Sequence, residues 1–414
     1  MLITNVKVFT EEKFVPGSII VRGDTIQKVL LDEGGPVEIG EEELLDGQGS
    51  YCLPGMIDLH FHGCKGYDFC DGTREAVDAI AKYEASIGVT AIAPATMTLP
   101  VEELEKILMN GAAYRREQLA GLTPGRADLI GVNMEGPFIS KEKKGAQDAV
   151  NIIPFDVDIY RRFQKAADGL VKFIGIAPEE GDARSFIEQV KGEVSVALAH
   201  TNADYDRAKE AFDAGANHLV HMYNAMPSFT HREPGVIGAA ADQNCGSGSG
   251  IKRSDNVNLS SGQSAHMPGG DGVMAEIICD GVHIHPSAVR VAFTLMGKEQ
   301  MILISDSMRA AGMPDGRYTL GGLDVDVKGN RATLLSDGAL AGSVTTLPDC
   351  VRTAVKKMGI PLETAVACAT IHPARSLGEE SRYGSIDPGK KADLVLWDED
   401  LVLVGVIKDG KKLV

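Results

Sequence analysis

The chain predicts an α/β fold: a (β/α)8 barrel joined to a small β-sandwich built from the N- and C-terminal segments. Three observations carry this. Apolar strand-like runs alternate with helical stretches through the middle of the chain, short strands with tight turns occupy both ends, and polar residues close strand after strand. At 414 residues the chain can hold a barrel of ~250 residues and a second unit.

Residues 2–50 read as short strands broken at Pro16-Gly17, Gly23-Asp24, Gly34-Gly35 and Asp46-Gly47. Residues 384–414 read the same way, with strands at 392–397 and 401–407 and a turn at Asp409-Gly410. The expected sandwich domain is therefore 1–52 with 380–414, and the barrel 53–379. Barrel strands are expected at 56–62, 89–95, 129–134, 171–177, 194–199, 218–222, 273–279 and 301–304. Helical stretches at 74–86, 101–119, 182–190, 204–214 and 286–296 separate them. A doubly wound sheet also alternates, but no GxGxxG follows the first strand. One tract breaks the rhythm. Residues 246–272, opening Gly246-Ser247-Gly248-Ser249-Gly250, are polar without a hydrophobic period and read as a flexible insertion. The tract precedes a strand, at the barrel face opposite the one that carries chemistry, and is expected to be dispensable for catalysis.

A net charge of −17 opposes binding to nucleic acid or an anionic membrane, and leaves an anionic small molecule open. No apolar run reaches the ~18 residues of a membrane helix. The alternating start, Met1 to Val8, reads as a strand rather than a signal peptide, and the seven cysteines form no CxxC pair. Reduced thiols in the cytoplasm are expected.

The strand ends carry the chemistry. His60 and His62 close the first strand; side chains two apart on a strand share a face, so both imidazoles point one way, as a divalent metal requires. Later strands run into Glu135, His200, His221, Asp280 with His283, and Asp306. All would face one mouth. Imidazoles and carboxylates without thiolates suit Zn²⁺, Fe²⁺, Mn²⁺ or a similar ion, and Asp306 is placed to move a proton during metal-assisted hydrolysis. His218 is an odd number of residues from His221 and is expected to face outward or into packing; His266, His285 and His372 also read as structural.

These residues, with Leu53-Pro54-Gly55-Met56-Ile57-Asp58 before the histidine pair, Glu135-Gly136-Pro137-Phe138, His200-Thr201-Asn202-Ala203, Tyr223-Asn224-Ala225-Met226, Arg232-Glu233-Pro234-Gly235 and Asp280-Gly281-Val282-His283, make the sequence resemble the amidohydrolase superfamily. Within it, the chain is similar to the N-acetylglucosamine-6-phosphate deacetylases. The tail from Gly384 to Leu394 is a general superfamily signature. The resemblance implies that Glu135, His200 and His221 bind one metal, that His60 and His62 bind a second, and that Asp306 is the catalytic acid/base. It implies substrate contacts from Ala146, Gln147, Asn224, Ala225, His283, Leu340, Ala341 and Gly342. It implies a homodimer in which Arg232 reaches the phosphate in the neighbouring subunit's site. Gln147 stands where some members carry histidine; glutamine can donate to an oxyanion but cannot carry a proton. Ser307-Met308 after Asp306 also departs from the Asp-Ala of other members. The expected activity is deacetylation of N-acetylglucosamine 6-phosphate in amino-sugar catabolism. Its rivals are the galactosamine epimer as substrate, and a metal-binding sugar-phosphate sensor without turnover.

Overall fold

The computed structural model describes residues 1–31, 43–245 and 272–414. The polar tract, all but its last residue, lies outside the described residues, so its expected flexibility and dispensability lie outside them too. Eight parallel strands make the barrel. The first is Met56–Asp58. The second runs Val89–Ile92 and Ala95–Thr96, interrupted at Pro94, which has no N–H to give the ladder. The third runs Asp128–Leu129 and Val132–Phe138, and the rest are Val171–Ile176, Ser195–Leu198, His218–Leu219, Met274–Ile278 and Met301–Ile304. Each pairs in parallel with its sequence neighbour. Backbone bonds from Asp306 N to His60 O (3.0 Å) and from His62 N to Ser307 O (2.7 Å) join the eighth strand's end to the first. That seam brings the two ends of the barrel sequence, and with them His60, His62 and Asp306, side by side.

The strands are apolar on both faces, as in a parallel sheet covered by helices. Ile57, Ala91, Ile130, Phe173, Ile278 and Ile302 fill the interior, with Ala374, Leu377 and Tyr383 packed against them. The helices Arg74–Ser86, Val101–Leu119 and Pro286–Met296 begin and end where the periodicity puts them. Ala183–Val190 and Tyr205–Ala214 start one residue later than expected, because Asp182 and Asp204 are N-caps whose carboxylates accept from Ser185 N and Arg207 N. Helices Val157–Ala166, Gly235–Asn244, Leu347–Lys356, Leu362–Ala369 and Ile371–Leu377 complete the layer.

The two ends of the chain meet in one seven-stranded sheet. In spatial order it holds Lys411–Lys412, Leu403–Lys408, Leu394–Trp397, Leu44–Pro54, Leu2–Phe9, Phe14–Arg22 and Thr25–Leu31. Leu44–Pro54 leads straight into the first barrel strand through Gly55, whose N–H is held by Asp393 O at 2.8 Å. The terminal sheet thus aims the strand that carries His60 and His62. A second, unforeseen sheet follows the eighth strand: Gly316–Leu320, Leu323–Lys328 and Arg331–Leu334, antiparallel, turning at Gly321-Gly322 and Gly329-Asn330. Its small core, Met97, Met308, Leu320, Val325 and Leu334, stands beside the barrel mouth.

Candidate metal centre and active site

Four imidazole nitrogens converge on one carboxylate. Glu135 Oε1 lies 2.8 Å from His221 Nε2, 2.9 Å from His200 Nε2 and 3.4 Å from His60 Nε2; Oε2 lies 3.5 Å from His62 Nε2. Asp306 Oδ1 is 3.3 Å from His62 Nε2 and 3.9 Å from His60 Nε2. All six side chains are buried. The strand ends therefore do gather the expected donors. His60 belongs to two groups, one with Glu135 and His221 and one with His62 and Asp306, in each of which the donor atoms lie within 4.8 Å of one another. The pair His60–His62 is thus less separate from Glu135 and His221 than their distance along the chain suggests.

The tautomers show what the cluster can hold. His200 Nδ1 is 2.8 Å from Lys143 O, and a carbonyl only accepts, so Nδ1 carries the hydrogen. In the neutral ring Nε2 is then a lone pair, facing Glu135 Oε1 and, at 3.2 Å, His221 Nε2. His60 is held the same way: Nδ1 is 2.7 Å from Glu276 Oε2, and Nε2 is buried with no hydrogen-bond partner. Lone pairs aimed at lone pairs in a buried pocket call for a cation among them. The donor set, imidazole and carboxylate with no thiolate, fits a divalent metal.

Backbone conformation at the strand ends is unusual. His200, His221 and Asp306 have φ of +43°, +27° and +48°, and Ala225 +51°. Each such non-glycine residue costs on the order of 1–3 kcal/mol, and such strain gathers at functional sites. Gly136 answers a close approach. A Cβ there would lie 2.1 Å from Thr98 Oγ1, so the segment that carries Glu135 can pack against the residues following the second strand only with glycine next to it.

A cavity of about 290 Å³ opens over the cluster. His62, Glu135, His200, His221 and Asp306 line it, together with Ala146, Gln147, Asn224, Ala225, His283, Leu340 and Gly342. Two of the expected residues do not line it; for Arg232, expected in a neighbouring subunit's site, no contact here was called for. Ala341 is fully buried in the core of the small sheet, and Arg232 is exposed in a separate hollow beside Asp204, Tyr205 and Asp242. Gln147 is committed on both sides: Oε1 accepts from Thr98 N at 2.7 Å, which fixes the amide so that Nε2 donates to Glu135 Oε2 at 2.7 Å. It braces the carboxylate at the centre of the cluster. His283 is oriented by Asp280, whose Oδ2 accepts from Nδ1 at 2.7 Å. Burial opposes charge on His283, and the hydrogen bond and charge of Asp280 outweigh it, so its pKa lies above the ordinary histidine value.

Three residues escaped the sequence reading. Lys143 and Glu142 line the cavity. Glu276 lies behind His60, and the signal for it was present: a glutamate in the middle of Met274-Ala275-Glu276-Ile277-Ile278 is out of place in a strand buried on both faces. His218 faces packing, one of the two placements expected of it, with Nε2 on Glu276 Oε1 at 2.9 Å and its ring against Phe173.

A closed barrel with histidines and carboxylates at its strand ends defines a class of metal-dependent hydrolases, and a model of the amidohydrolase family matches residues 51–413. The chain belongs to the amidohydrolase family. An N-acetylglucosamine-6-phosphate deacetylase of Bacillus subtilis (strain 168) is 34% identical over 412 residues, 99% of this chain and 96% of that protein. An N-acetylgalactosamine-6-phosphate deacetylase of Escherichia coli O157:H7 is 35% identical over 367 residues, 88% of this chain and 87% of that protein. Among solved structures, a mutant N-acetyl-D-glucosamine-6-phosphate deacetylase of Mycobacterium smegmatis in complex with N-acetyl-D-glucosamine-6-phosphate matches with a TM-score of 0.85 at 30% identity. The match covers 100% of this chain and 98% of that one. Among the described residues no helix is long and apolar enough to cross a membrane.

Proposed function

We propose that this chain hydrolyses the acetamide of N-acetyl-D-glucosamine 6-phosphate, giving D-glucosamine 6-phosphate and acetate. The observation that carries the reading is the convergence of four imidazole Nε2 atoms on Glu135, beside Asp306 and under a cavity suited to a small molecule. Glu135, His200, His221, His60 and His62 hold one or two divalent cations of the Zn²⁺, Fe²⁺ or Mn²⁺ type. Such a cation, when bound, lowers the pKa of water towards ~7 and polarises the amide carbonyl.

Asp306 does the proton work. It takes a proton from the attacking water and returns it to the amide nitrogen as the C–N bond breaks, so that acetate and the free amine leave. Its carboxylate, 3.3 Å from His62 Nε2, is held at the cavity floor by the seam between the last and first strands. His283, its Nδ1 tied to Asp280, offers Nε2 to the acetamido group or the sugar. Asn224 and Ala225 receive the phosphate, and Arg232 reaches it from a neighbouring copy in a homodimer. The exposure of Arg232, away from its own chain's cavity, supports that role. A planar guanidinium matches a phosphate in two places at once. Residues 1–52 with 380–414 form the sandwich domain and 53–379 the catalytic barrel.

Acetate release from the phosphorylated sugar and from plain N-acetylglucosamine tests the reading. The phosphorylated substrate should have a kcat/KM higher by about 10–100-fold, the worth of one strong charge-assisted contact. Equal values would remove the phosphate clamp. The similarity to a galactosamine-type deacetylase, at 35% identity, favours one second reading: turnover of the epimer. The same assay with N-acetylgalactosamine 6-phosphate decides between the two sugars.

A further inference from the structure

We propose that Glu276, clamped by His218, is a positioning residue that holds His60 in its Nδ1-protonated form and so keeps the His60 Nε2 lone pair available to a cation. The inference rests on the reading of the histidine cluster as a divalent-metal centre.

Glu276 is fully buried in the middle of the seventh barrel strand. Its Oε2 lies 2.7 Å from His60 Nδ1 and accepts from the backbone N–H of His221 at 3.1 Å. Its Oε1 lies 2.9 Å from His218 Nε2 and 3.4 Å from Asn133 Nδ2. An ionised carboxylate only accepts, so each of these donors points a hydrogen at Glu276. For His60 the consequence is specific. With its hydrogen on Nδ1, the neutral ring presents a bare Nε2 to Glu135 and Asp306. In the other tautomer an Nδ1 lone pair would meet the carboxylate at 2.7 Å while Nε2–H blocked the position a cation needs. Glu276 penalises that form.

His218 makes the clamp rigid. With Nε2–H given to Glu276, its Nδ1 is an acceptor, and Ser376 Oγ stands 3.4 Å away to donate. The ring packs on Phe173 with centroids 4.7 Å apart. Asn133 Nδ2 also donates to Leu59 O at 3.1 Å, which ties the clamp to the residue before His60. Neither Glu276 nor His218 lines the cavity, so neither meets substrate; both act through His60. Partners that orient a metal-binding histidine through its second nitrogen typically change metal affinity by about 10–100-fold when removed.

The test is a zinc titration of the metal-free protein in competition with a chromophoric chelator. It compares wild type, Glu276→Gln, His218→Asn, His60→Asn and the double variant His60→Asn/Glu276→Gln. Ring ¹⁵N shifts of His60 are read on the metal-free wild type and Glu276→Gln. Glu276→Gln should weaken zinc binding by about 10–100-fold, and the His60 ring should lose its uniform Nδ1–H signature. His218→Asn should act in the same direction and by less. In the His60→Asn background Glu276→Gln should change nothing further, because the residue it positions is gone. Wild-type zinc affinity in both Glu276→Gln and His218→Asn overturns the proposal. So does an equal loss with and without His60, which would make Glu276 a general structural residue. If Glu276→Gln fails to fold, unchanged zinc affinity in His218→Asn is by itself the overturning result. A wild type that takes up no zinc, cobalt or manganese overturns instead the metal-centre reading beneath it.

Discussion

Asp306 is the residue on which the proposed chemistry turns, and its surroundings make a specific demand on a variant. Its Oδ1 faces the two histidines of the first strand end, and its backbone N–H is tied to His60 O. Asp306→Asn keeps the shape and the backbone bond and removes the ability to take a proton. We expect kcat to fall by about 10²–10⁴, the usual weight of general acid–base catalysis, with the protein still folded and still loaded with metal. A variant that kept wild-type kcat would remove Asp306 from the proton path. At this scale the sequence was legible wherever a residue's position follows from its place along its own strand: His60, His62, His200, His221 and Asp306 follow strand ends, Glu135 lies within the last part of the third strand, and they meet. It was illegible where the role depends on a partner across the barrel. Gln147 lines the cavity as expected, but its bonds to Glu135 and to Thr98 N were not foreseen. Ala341 lies between two residues that line the cavity and is itself buried in the core of the small sheet, because neighbouring residues of a chain face different ways.

Among the elements, the end of the third strand is a tight joint. Gly136 sits where a Cβ would meet Thr98 Oγ1 at 2.1 Å and Thr98 Cβ at 3.2 Å, and turning the hydroxyl relieves only the first of these. Thr98 N also holds Gln147, which braces Glu135, so the methyl would push on both supports of the central carboxylate. Gly136→Ala should cost about 1–3 kcal/mol, as overpacking does, and should weaken metal binding as well. Urea unfolding of the metal-free protein measures the first effect and metal content after dialysis the second. Wild-type values for both would mean that the glycine is not needed there. Five helices were legible, because a 3.6-residue period over 11–19 residues is hard to mistake, as in Arg74–Ser86, Val101–Leu119 and Pro286–Met296, while Val157–Ala166, Gly235–Asn244, Leu347–Lys356, Leu362–Ala369 and Ile371–Leu377 were not foreseen. The three-stranded sheet of residues 316–334 was missed although its Gly-Gly and Gly-Asn turns are written in the chain. Its strands bury only a small core of their own, so their apolar signal is weak.

Across the whole molecule, the barrel and the terminal sheet are locked by a buried ionic network. Lys408 Nζ lies among Asp128, Asp393 and Asp409 at 3.0, 3.1 and 2.9 Å. Lys391 Nζ reaches Asp128 at 2.6 Å and Asp409 at 2.5 Å, and Tyr383 OH donates to Asp128 at 3.0 Å. Asp128 begins the third barrel strand, while Asp393, Lys408 and Asp409 belong to the terminal sheet and its turns. The signature at residues 384–394, which says little about substrate, thus contributes Lys391 and Asp393 to the joint that aims the first barrel strand. Burial raises the cost of charge on Asp128, and the Lys408 and Lys391 charges outweigh it, so its pKa lies well below the carboxylate range. Burial likewise opposes charge on Lys408, and Asp393, Asp128 and Asp409 hold it charged well above the ordinary lysine value. The signs give a window. The depressed Asp128 contributes stability that is full above the unfolded pKa of about 3.9 and is lost as pH falls through its folded value. The raised Lys408 contributes stability that is full below about 10.4 and is lost as pH rises through its folded value. Lys408→Met leaves the three aspartates facing one another with one cation fewer, in a place where the lysine side chain has no exposure at all. The variant should lose about 3–5 kcal/mol of unfolding free energy at neutral pH, the cost of breaking a buried ion pair from one side. The deficit should shrink as acid neutralises the stranded carboxylates. Unfolding in urea from pH 3 to pH 8 measures both. A loss under about 1 kcal/mol, as for an exposed pair, or a deficit that does not change with pH, would mean that the joint is held by packing and not by this network.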